Sequence, residues 1–278
     1  MTLLAAHGWE LEVLPETGGA INRLRHAGRD ILRAGPPANT DPLQAASFPM
    51  IPYVNRIAHC RMRFTGREWR LPANFGDHPH CLHGIGWQRP WEVQAVTADS
   101  LELHLRHPGG NGWPFAFQAQ QRMMLAQGCF AMSLSLTNLS GEPAPAGLGF
   151  HPYFPRHPDS RLTARFAAAW RVSADGLPLE RVAPDSFGNW AAGESPEQPM
   201  LIDNPYEGWD GEAMISGGGI ALRMTGRNTR HFQIYAPPGA DFFCAEPATD
   251  LPDAVNRSEM QVLRPGESME IGMRLELI

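Results

Sequence analysis

The sequence lacks several features that would place it in a particular functional class. Its four cysteines are scattered, with no CxxC pair and no regular spacing, which indicates reduced thiols and not a disulfide framework. No uninterrupted apolar stretch approaches the roughly 20 residues of a membrane span, so no membrane is expected. There is no basic excess either, since the formal net charge is -6 and the pI about 6.0. Nucleic acid is therefore not an expected partner.

The first residues, Met1 to His7, have neither a basic start nor a full apolar run. We therefore predict no signal peptide and a cytoplasmic protein. The chain has 278 residues, of which 43% are hydrophobic, as in ordinary globular proteins. Because all-β sandwiches of this length are commonly single domains, we expect one domain over residues 1–278. Monomer and homodimer both remain open.

Long helical periodicity is also nearly absent, whereas 28 glycines and 26 prolines interrupt the chain at short intervals. This composition predicts many strands joined by turns. Apolar residues alternate with polar ones in three segments, at 101–105, 130–136 and 269–277, which is typical of antiparallel strands with one buried face. A further strand, from Phe115 to Ala119, should form a hairpin with the second segment through a turn at 126–128. We predict an all-β fold, a large antiparallel β-sandwich.

Two acid/base candidates each precede a proline. His151 follows a glycine-flanked apolar stretch and stands before Pro152, and Glu246 ends the apolar run 242–245 before Pro247. Proline restricts its own backbone and that of the preceding residue, so both side chains should project from extended chain. Each could equally be structural, His151 as a hydrogen-bonded strand residue and Glu246 in a salt bridge at a strand end.

Three polar residues elsewhere are candidates for binding. Asn55 and Arg56 interrupt an apolar, proline-stiffened run, an unusual place for a charge unless it faces a polar cavity. A turn and a solvated arginine explain them equally well. Asp203 follows an apolar pair and precedes Asn204-Pro205, and on these residues alone an Asx turn is the simpler interpretation.

A histidine-rich segment runs from His78 to Trp87. His78, His80, Cys81 and His83 are chemically suited to zinc, although their spacing matches no common zinc motif. We prefer a loop that offers His83 to a ligand beside Trp87 and Trp91, because aromatic faces suit the C–H face of a sugar. Between Arg56 and this segment lie four arginines, around a turn at 65–66. They are explained by an exposed hairpin or by an anionic substituent of the ligand: Arg61, Arg63, Arg67 and Arg70.

Together these residues resemble the aldose 1-epimerase, or galactose mutarotase-like, family. The matching stretches follow the family's order over most of the chain, and as a set they are specific. They are Pro-Tyr-Val-Asn-Arg-Ile at 52–57, Leu-His-Gly at 82–84, Gly-Phe-His-Pro-Tyr-Phe at 149–154, Ala-Glu-Pro at 245–247 and Pro-Asp-Ala-Val-Asn at 252–256.

The resemblance implies a single-domain β-supersandwich and an isomerase with no cofactor and no metal. It implies that Glu246 is the general base at the anomeric hydroxyl and His151 the general acid at the ring oxygen. Arg56, His83 and Asp203, with Asn55 beside them, would hold the sugar. For this chemistry we expect the carboxylate and the imidazolium on opposite sides of the ring. Nearby carboxylates should keep His151 protonated.

The chain departs from the galactose-type pattern at two positions. Pro247-Ala248 follows Glu246 and Pro155 follows Phe154, where galactose-type enzymes usually have Thr-Gln and Asn. Both features look more like the branch that includes hexose-6-phosphate mutarotases. The alternatives to a mutarotase for free aldohexoses are therefore a hexose-6-phosphate mutarotase, a non-catalytic sugar-binding protein on the same fold, and a zinc isomerase using His78, His80 and His83.

Overall fold

A computed structural model describes all residues 1–278. The first strands are β1 Thr2–Ala6, β2 Trp9–Leu14, β3 Ala20–His26, β4 Arg29–Asp30, β5 Pro49–Met50, β6 Arg56–Ile57, β7 Arg61–Phe64, β8 Arg67–Arg70 and β9 Cys81–Leu82. Next come β10 Glu92–Val96, β11 Ser100–His107, β12 Phe117–Ala126, β13 Cys129–Asn138, β14 Ala144–Ala146, β15 Gly149–Phe150, β16 Tyr153–Pro155, β17 Arg161–Ala164 and β18 Ala168–Val172. The last are β19 Pro178–Val182, β20 Ile202–Glu207, β21 Glu212–Gly217, β22 Ile220–Arg227, β23 His231–Ala236, β24 Phe242–Ala248, β25 Gln261–Leu263 and β26 Ser268–Leu277.

The only helices are four short 3-10 turns, at Pro42–Gln44, Ala58–Cys60, Gly86–Gln88 and Trp190–Ala192. No helix has the length and apolar character needed to cross a bilayer. The chain is therefore all-β, as its composition predicts.

Two eight-stranded antiparallel sheets dominate the architecture. The first, here called the back sheet, has the order β10-β11-β12-β13-β26-β22-β21-β17. The second, the site sheet, has the order β19-β18-β20-β23-β24-β15-β5, and β16 also pairs with β24. A four-stranded sheet, β1 to β4, and three two-stranded ribbons complete the fold. Apolar residues of both large sheets join one buried cluster of 59 residues, which makes the fold a large sandwich.

The three predicted alternations are confirmed as strands β11, β13 and β26. Leu103, Phe130 and Ile271 are buried. The residues that alternate with the apolar ones are more exposed on β11 and β13, and so are the charged residues of β26. Leu277 is an exception, since it is only half-buried at the end of β26. The predicted hairpin is present as β12 and β13, although β12 begins at Phe117 and not at Phe115.

The two faces of the site sheet have different surroundings. On β24, Phe243 and Ala245 point into the main core. Cys244 belongs instead to a second buried cluster of 9 residues, which also contains Tyr153 and Phe48. Because side chains alternate along a strand, Glu246 lies on the same face as Cys244. The site sheet therefore presents polar side chains on the face that is turned away from the main core.

Candidate active site

The six predicted site residues all line one cavity of about 770 Å³. It lies on the polar face of the site sheet and is within the size range of small-molecule sites. Three of the six come from the site sheet and its connections, and three from the region of the ribbon of β6 and β9. The six are Asn55, Arg56, His83, His151, Asp203 and Glu246.

His151 lies beside Glu246 because of strand register. Both β15 and β16 pair with β24, through Gly149 with Ala248 and Tyr153 with Cys244. His151 lies two residues from both Gly149 and Tyr153. Continuing the antiparallel register by two residues from either pair places Glu246 opposite His151. His151 itself occupies the short break between β15 and β16. Its Nε2 lies 3.3 Å from Glu246 Oε1, with both side chains buried.

Aromatic rings fix the orientation of the His151 imidazole. It stacks against Phe48, with ring centroids 4.5 Å apart, and against Tyr153, at 4.8 Å. These two rings adjoin each other, with centroids 6.3 Å apart. The ring of His83 meets it edge-on at 5.2 Å. The imidazole is therefore held in one plane, with Nε2 directed at the carboxyl group of Glu246.

Burial moves the two pKa values in opposite directions. It lowers the pKa of His151 to about 3, and the positive charge of Arg33 also lowers it. Burial raises the pKa of Glu246 well above its usual range; the charge of Asp203 adds to this and that of Arg56 opposes it. Each shift favours the neutral form. Both shifts therefore favour a neutral imidazole beside a protonated carboxyl group over an ion pair.

Two expectations about this pair were wrong. His151 is not held protonated by carboxylates, because the loss of hydration on burial outweighs the effect of nearby charges. A sugar ring cannot separate two side chains whose polar atoms are 3.3 Å apart. Mutarotation does not require such a separation, since the anomeric hydroxyl and the ring oxygen are bonded to the same carbon. An acid and a base for these two oxygens can therefore be neighbours.

Arg56 lies in a network of polar contacts on the cavity wall. Its Nη1 donates to Asn55 Oδ1 and its Nη2 to Asp203 Oδ2, each at 2.9 Å. The other Asp203 oxygen accepts from Gln233 Nε2 at 2.6 Å. Asp203 is the second residue of β20 and not part of an Asx turn. The network holds an arginine and a carboxylate in fixed positions at the cavity surface.

His83 is neutral and well placed to contact a ligand. Burial lowers its pKa well below the usual range, and nearby His151 and Arg56 act in the same direction. Its Nδ1 lies 3.0 Å from Met50 Sδ, which leaves Nε2 for a ligand in the cavity. A neutral imidazole can donate or accept a hydrogen bond there, depending on its tautomer.

The two tryptophans do not provide a sugar-binding face. Trp87 and Trp91 are buried, and the Nε1 of each donates to backbone carbonyls, that of Trp87 to Leu82 and Gly84 and that of Trp91 to Gly86. They support the loop that carries His83. The aromatic rings that line the cavity are others: Phe75, Tyr153, Tyr235 and Phe242.

The histidine-rich segment does not form the zinc cluster that we considered. His80 is turned away from the cavity, with Nε2 3.1 Å from Asp175 Oδ2, whereas His83 faces into it. Potential metal ligands come together elsewhere, since the ligand atoms of His151, Cys244 and Glu246 lie within 4.8 Å of one another. A metal bound there would occupy the polar atoms of both His151 and Glu246.

Sequence reasoning missed several residues of the cavity, among them Gln233 and Arg33. Gln233 pairs with Glu246 on the neighbouring strand and is buried. The signal for it was an alternation, since polar Gln233 and Tyr235 lie between apolar residues on β23. The hairpin of β7 and β8 carries the four arginines 61, 63, 67 and 70, and none of them lines the cavity. Arg61 and Arg63 pair with Glu68 instead.

Comparison with known proteins identifies the family. Residues 3–276 match the aldose 1-epimerase family, which is nearly the whole chain. The chain is also 31% identical over 300 residues to the uncharacterised protein YphB of Escherichia coli K12, covering 98% of this chain and 97% of that protein. The chain therefore belongs to the aldose 1-epimerase family.

Solved structures show the same fold. A candidate aldose 1-epimerase from Escherichia coli K12 has a TM-score of 0.91 and 28% identity, with 99% of this chain and 98% of that one covered. A galactose 1-epimerase from Lactobacillus acidophilus has a TM-score of 0.82 and 16% identity, with 99% and 92% covered. The fold is the galactose mutarotase-like β-supersandwich.

Proposed function

We propose that the protein is an aldose 1-epimerase that interconverts the α and β anomers of an aldohexose by opening and reclosing the ring. The observation that carries this proposal is the buried contact between His151 and Glu246 at the wall of the cavity. A protein that only binds sugar has no need for an acid and a base that are placed to act on the two oxygens of one carbon atom. Membership of the family supports the same activity.

The pair supplies one proton and one vacant acceptor, which is what the reaction requires. As the anomeric hydroxyl approaches Glu246, the proton of the pair passes to His151 Nε2. Glu246 then takes the hydroxyl proton while His151 protonates the ring oxygen. The bond between C1 and the ring oxygen breaks, and the aldehyde forms. After rotation about C1–C2, the reverse transfers close the ring as the other anomer.

The remaining polar residues hold the sugar. Arg56 and Asp203 present fixed hydrogen-bonding groups for hydroxyls, with Asn55 supporting the guanidinium. His83 adds a neutral donor or acceptor beside His151. These interactions position the ring, and the chain's own side chains carry out both proton transfers.

The decisive experiment follows the optical rotation of freshly dissolved α-D-glucose and α-D-galactose with wild type and with Glu246→Gln. Loss of a general base typically lowers the rate by about 10² to 10⁴-fold. We therefore expect wild type to accelerate mutarotation and Glu246→Gln to abolish nearly all of this effect. Glucose 6-phosphate is followed in parallel by NMR exchange between its anomers.

Glu180→Gln is the matched control, because Glu180 lies on an outer strand of the same sheet and its side chain is exposed. It should retain wild-type activity. Binding of sugar without acceleration of any of the three substrates would instead support a non-catalytic sugar-binding protein.

A further inference from the structure

One guanidinium in the cavity has no anionic partner. Arg33 lines the cavity and is half-buried. The ion pairs among the cavity residues join Arg56 with Asp203 and His151 with Glu246, and Arg33 takes part in neither. Its Nη2 donates to two backbone carbonyls, Leu43 O at 2.9 Å and Ala45 O at 2.8 Å. The Nε and Nη1 donors remain for a ligand.

Arg33 is held rigidly in this position. Its backbone N–H donates to Tyr153 O at 2.8 Å. Its guanidinium carbon lies 3.9 Å from the centroid of the Tyr153 ring and 4.7 Å from that of Phe242. Stacking and the two carbonyl contacts fix the plane of the guanidinium. A fixed fork of donors is the geometry that binds a carboxylate or phosphate group through two hydrogen bonds.

The carboxyl groups of the cavity do not neutralise this charge. Asp203 is engaged by Arg56 and Gln233, and Glu246 contacts His151. Burial also raises the pKa of Glu246, which favours its neutral form. Asp241 is exposed, lines the cavity at a loop and forms no ion pair with Arg33. A partly buried cation without a partner is unfavourable in the empty protein, and an anionic ligand removes this cost.

The position of Arg33 indicates which part of a bound sugar it would contact. His151 and Arg33 both lie against the ring of Tyr153, with the imidazole centroid 4.8 Å and the guanidinium carbon 3.9 Å from the centroid of that ring. In the proposed reaction His151 protonates the ring oxygen. That oxygen is bonded to C5, which carries C6. A substituent on C6 is therefore close to His151 and can extend towards Arg33.

We propose that Arg33 determines specificity by binding an oxyanion on C6, so that the substrates are acidic aldohexoses. This inference rests on the proposed mutarotase function. The shared chemistry is an oxyanion that accepts two hydrogen bonds from the guanidinium, and two sources provide it: a 6-phosphate or the carboxylate of a hexuronic acid. The hairpin arginines, which the sequence offered for this role, lie outside the cavity.

The catalytic test compares kcat/KM for glucose, glucose 6-phosphate and glucuronate by NMR exchange. Wild type should prefer one acidic sugar over glucose by about tenfold or more, as expected for hydrogen bonds between charged groups. Arg33→Gln should lower this ratio by about tenfold, and Arg33→Lys should restore part of it. The better acidic sugar distinguishes phosphate from carboxylate.

Arg67→Gln is the matched control, since Arg67 also stacks on an aromatic ring, that of Trp69, but lies on the hairpin outside the cavity. It should leave the ratio unchanged. If wild type shows no preference for acidic sugars, the proposal is wrong. If Arg33→Gln lowers activity on all three sugars equally, Arg33 only supports the aromatic stack, and the proposal is also wrong.

A binding test separates this proposal from the proposed reaction. 1,5-Anhydroglucitol and its 6-phosphate have no anomeric hydroxyl and cannot mutarotate, so calorimetry measures recognition alone. In one outcome, the protein binds the 6-phosphate more tightly than 1,5-anhydroglucitol, Arg33→Gln abolishes this difference, and no mutarotation is measured. This outcome would support the oxyanion site and refute the mutarotase. Mutarotation of glucose by a protein that binds both compounds equally refutes the oxyanion site and not the mutarotase. If Arg33→Gln does not fold, Arg33→Lys and the salt dependence of phosphate binding to wild type provide the test.

Discussion

His151 and Glu246 work as one titrating unit. With Nε2 and Oε1 3.3 Å apart, protonation of either group alters the other, so the pair has two macroscopic pKa values. Burial places one of them at about 3, for His151, and moves the other, for Glu246, well above its usual range. In the proposed mechanism, the form of the pair with one proton is the form that exchanges protons with the sugar. It therefore persists over a wider pH range than unshifted groups would allow.

The pH profile of kcat/KM for α-D-glucose should show this range. A second proton is added only near the low pKa of His151, so activity at pH about 4 should remain most of that at pH about 6. If the glutamate pKa were instead the ordinary 4.5, the second proton would be added near that pH, and most of the pairs would carry two protons at the lower pH. Far-UV circular dichroism at each pH controls for unfolding. An acid limb centred above pH about 4.5 would contradict the assignment.

Local sequence patterns marked some residues of the site, whereas others depend on contacts between distant segments. His151, Glu246 and Arg56 stand next to prolines or interrupt apolar runs, so local pattern alone marked them. Arg33 becomes significant only because Tyr153, distant in the sequence, packs beneath it. Gln233 likewise depends on its pairing with Glu246. Contacts between distant segments are not visible in the local sequence, and neither is the loss of hydration that sets the charge of His151.

At the scale of elements, the loop between β18 and β19 packs directly against the back of Arg56. The hydroxyl of Ser173 donates to Asp175, and Asp175 contacts the buried His80. These contacts bring Gly176 to the guanidinium. A Cβ atom on Gly176 would lie 2.4 Å from Arg56 Cζ, far inside contact distance. The loop therefore determines where the arginine can be.

Gly176→Ala should impair binding through Arg56. The added methyl group displaces the guanidinium from Asn55 and Asp203, so we expect KM to rise by about tenfold, with a smaller change in kcat. Gly28→Ala is the matched control. Gly28 has φ +77 against +84 for Gly176, and nothing lies within 4 Å of its added Cβ. Both variants carry similar backbone strain, of about 1 to 2 kcal/mol.

Thermal unfolding and kinetics should therefore separate the two variants. We expect a loss of Tm in both variants, larger in Gly176→Ala because contacts of Arg56 are also lost, and an increase of KM in Gly176→Ala alone. If both variants changed KM equally, the effect would come from backbone strain and not from the contact with Arg56.

Strands were predicted well where one face is buried and the other is polar. Strands β11, β13 and β26 show this alternation, and Gly128 supplies the positive φ of the turn between β12 and β13. The site sheet was harder to foresee, because β24 is buried on both faces and shows no alternation. Its order also depends on pairings between distant segments, such as β5 with β15.

At the scale of the whole molecule, the core joins the two ends of the chain. The main buried cluster extends from Leu4 to Leu275 and includes residues of both large sheets. The C-terminal strand β26 lies between β13 and β22 in the middle of the back sheet. That sheet is therefore incomplete until the end of the chain is in place. Apart from this main cluster, there is only one small buried cluster, of 9 residues, behind the cavity.

This arrangement predicts that residues 1–278 unfold as one domain. Trp9, Trp113 and Trp190 are buried in distant parts of the chain and report tertiary structure by fluorescence, while far-UV circular dichroism reports the strands. In urea the two signals should give one coincident transition, with the same midpoint, because loss of either sheet exposes the core that both share. Two separate transitions would show that the sheets fold independently. In that case the cavity, which is built mainly on the site sheet, could persist after the back sheet had unfolded.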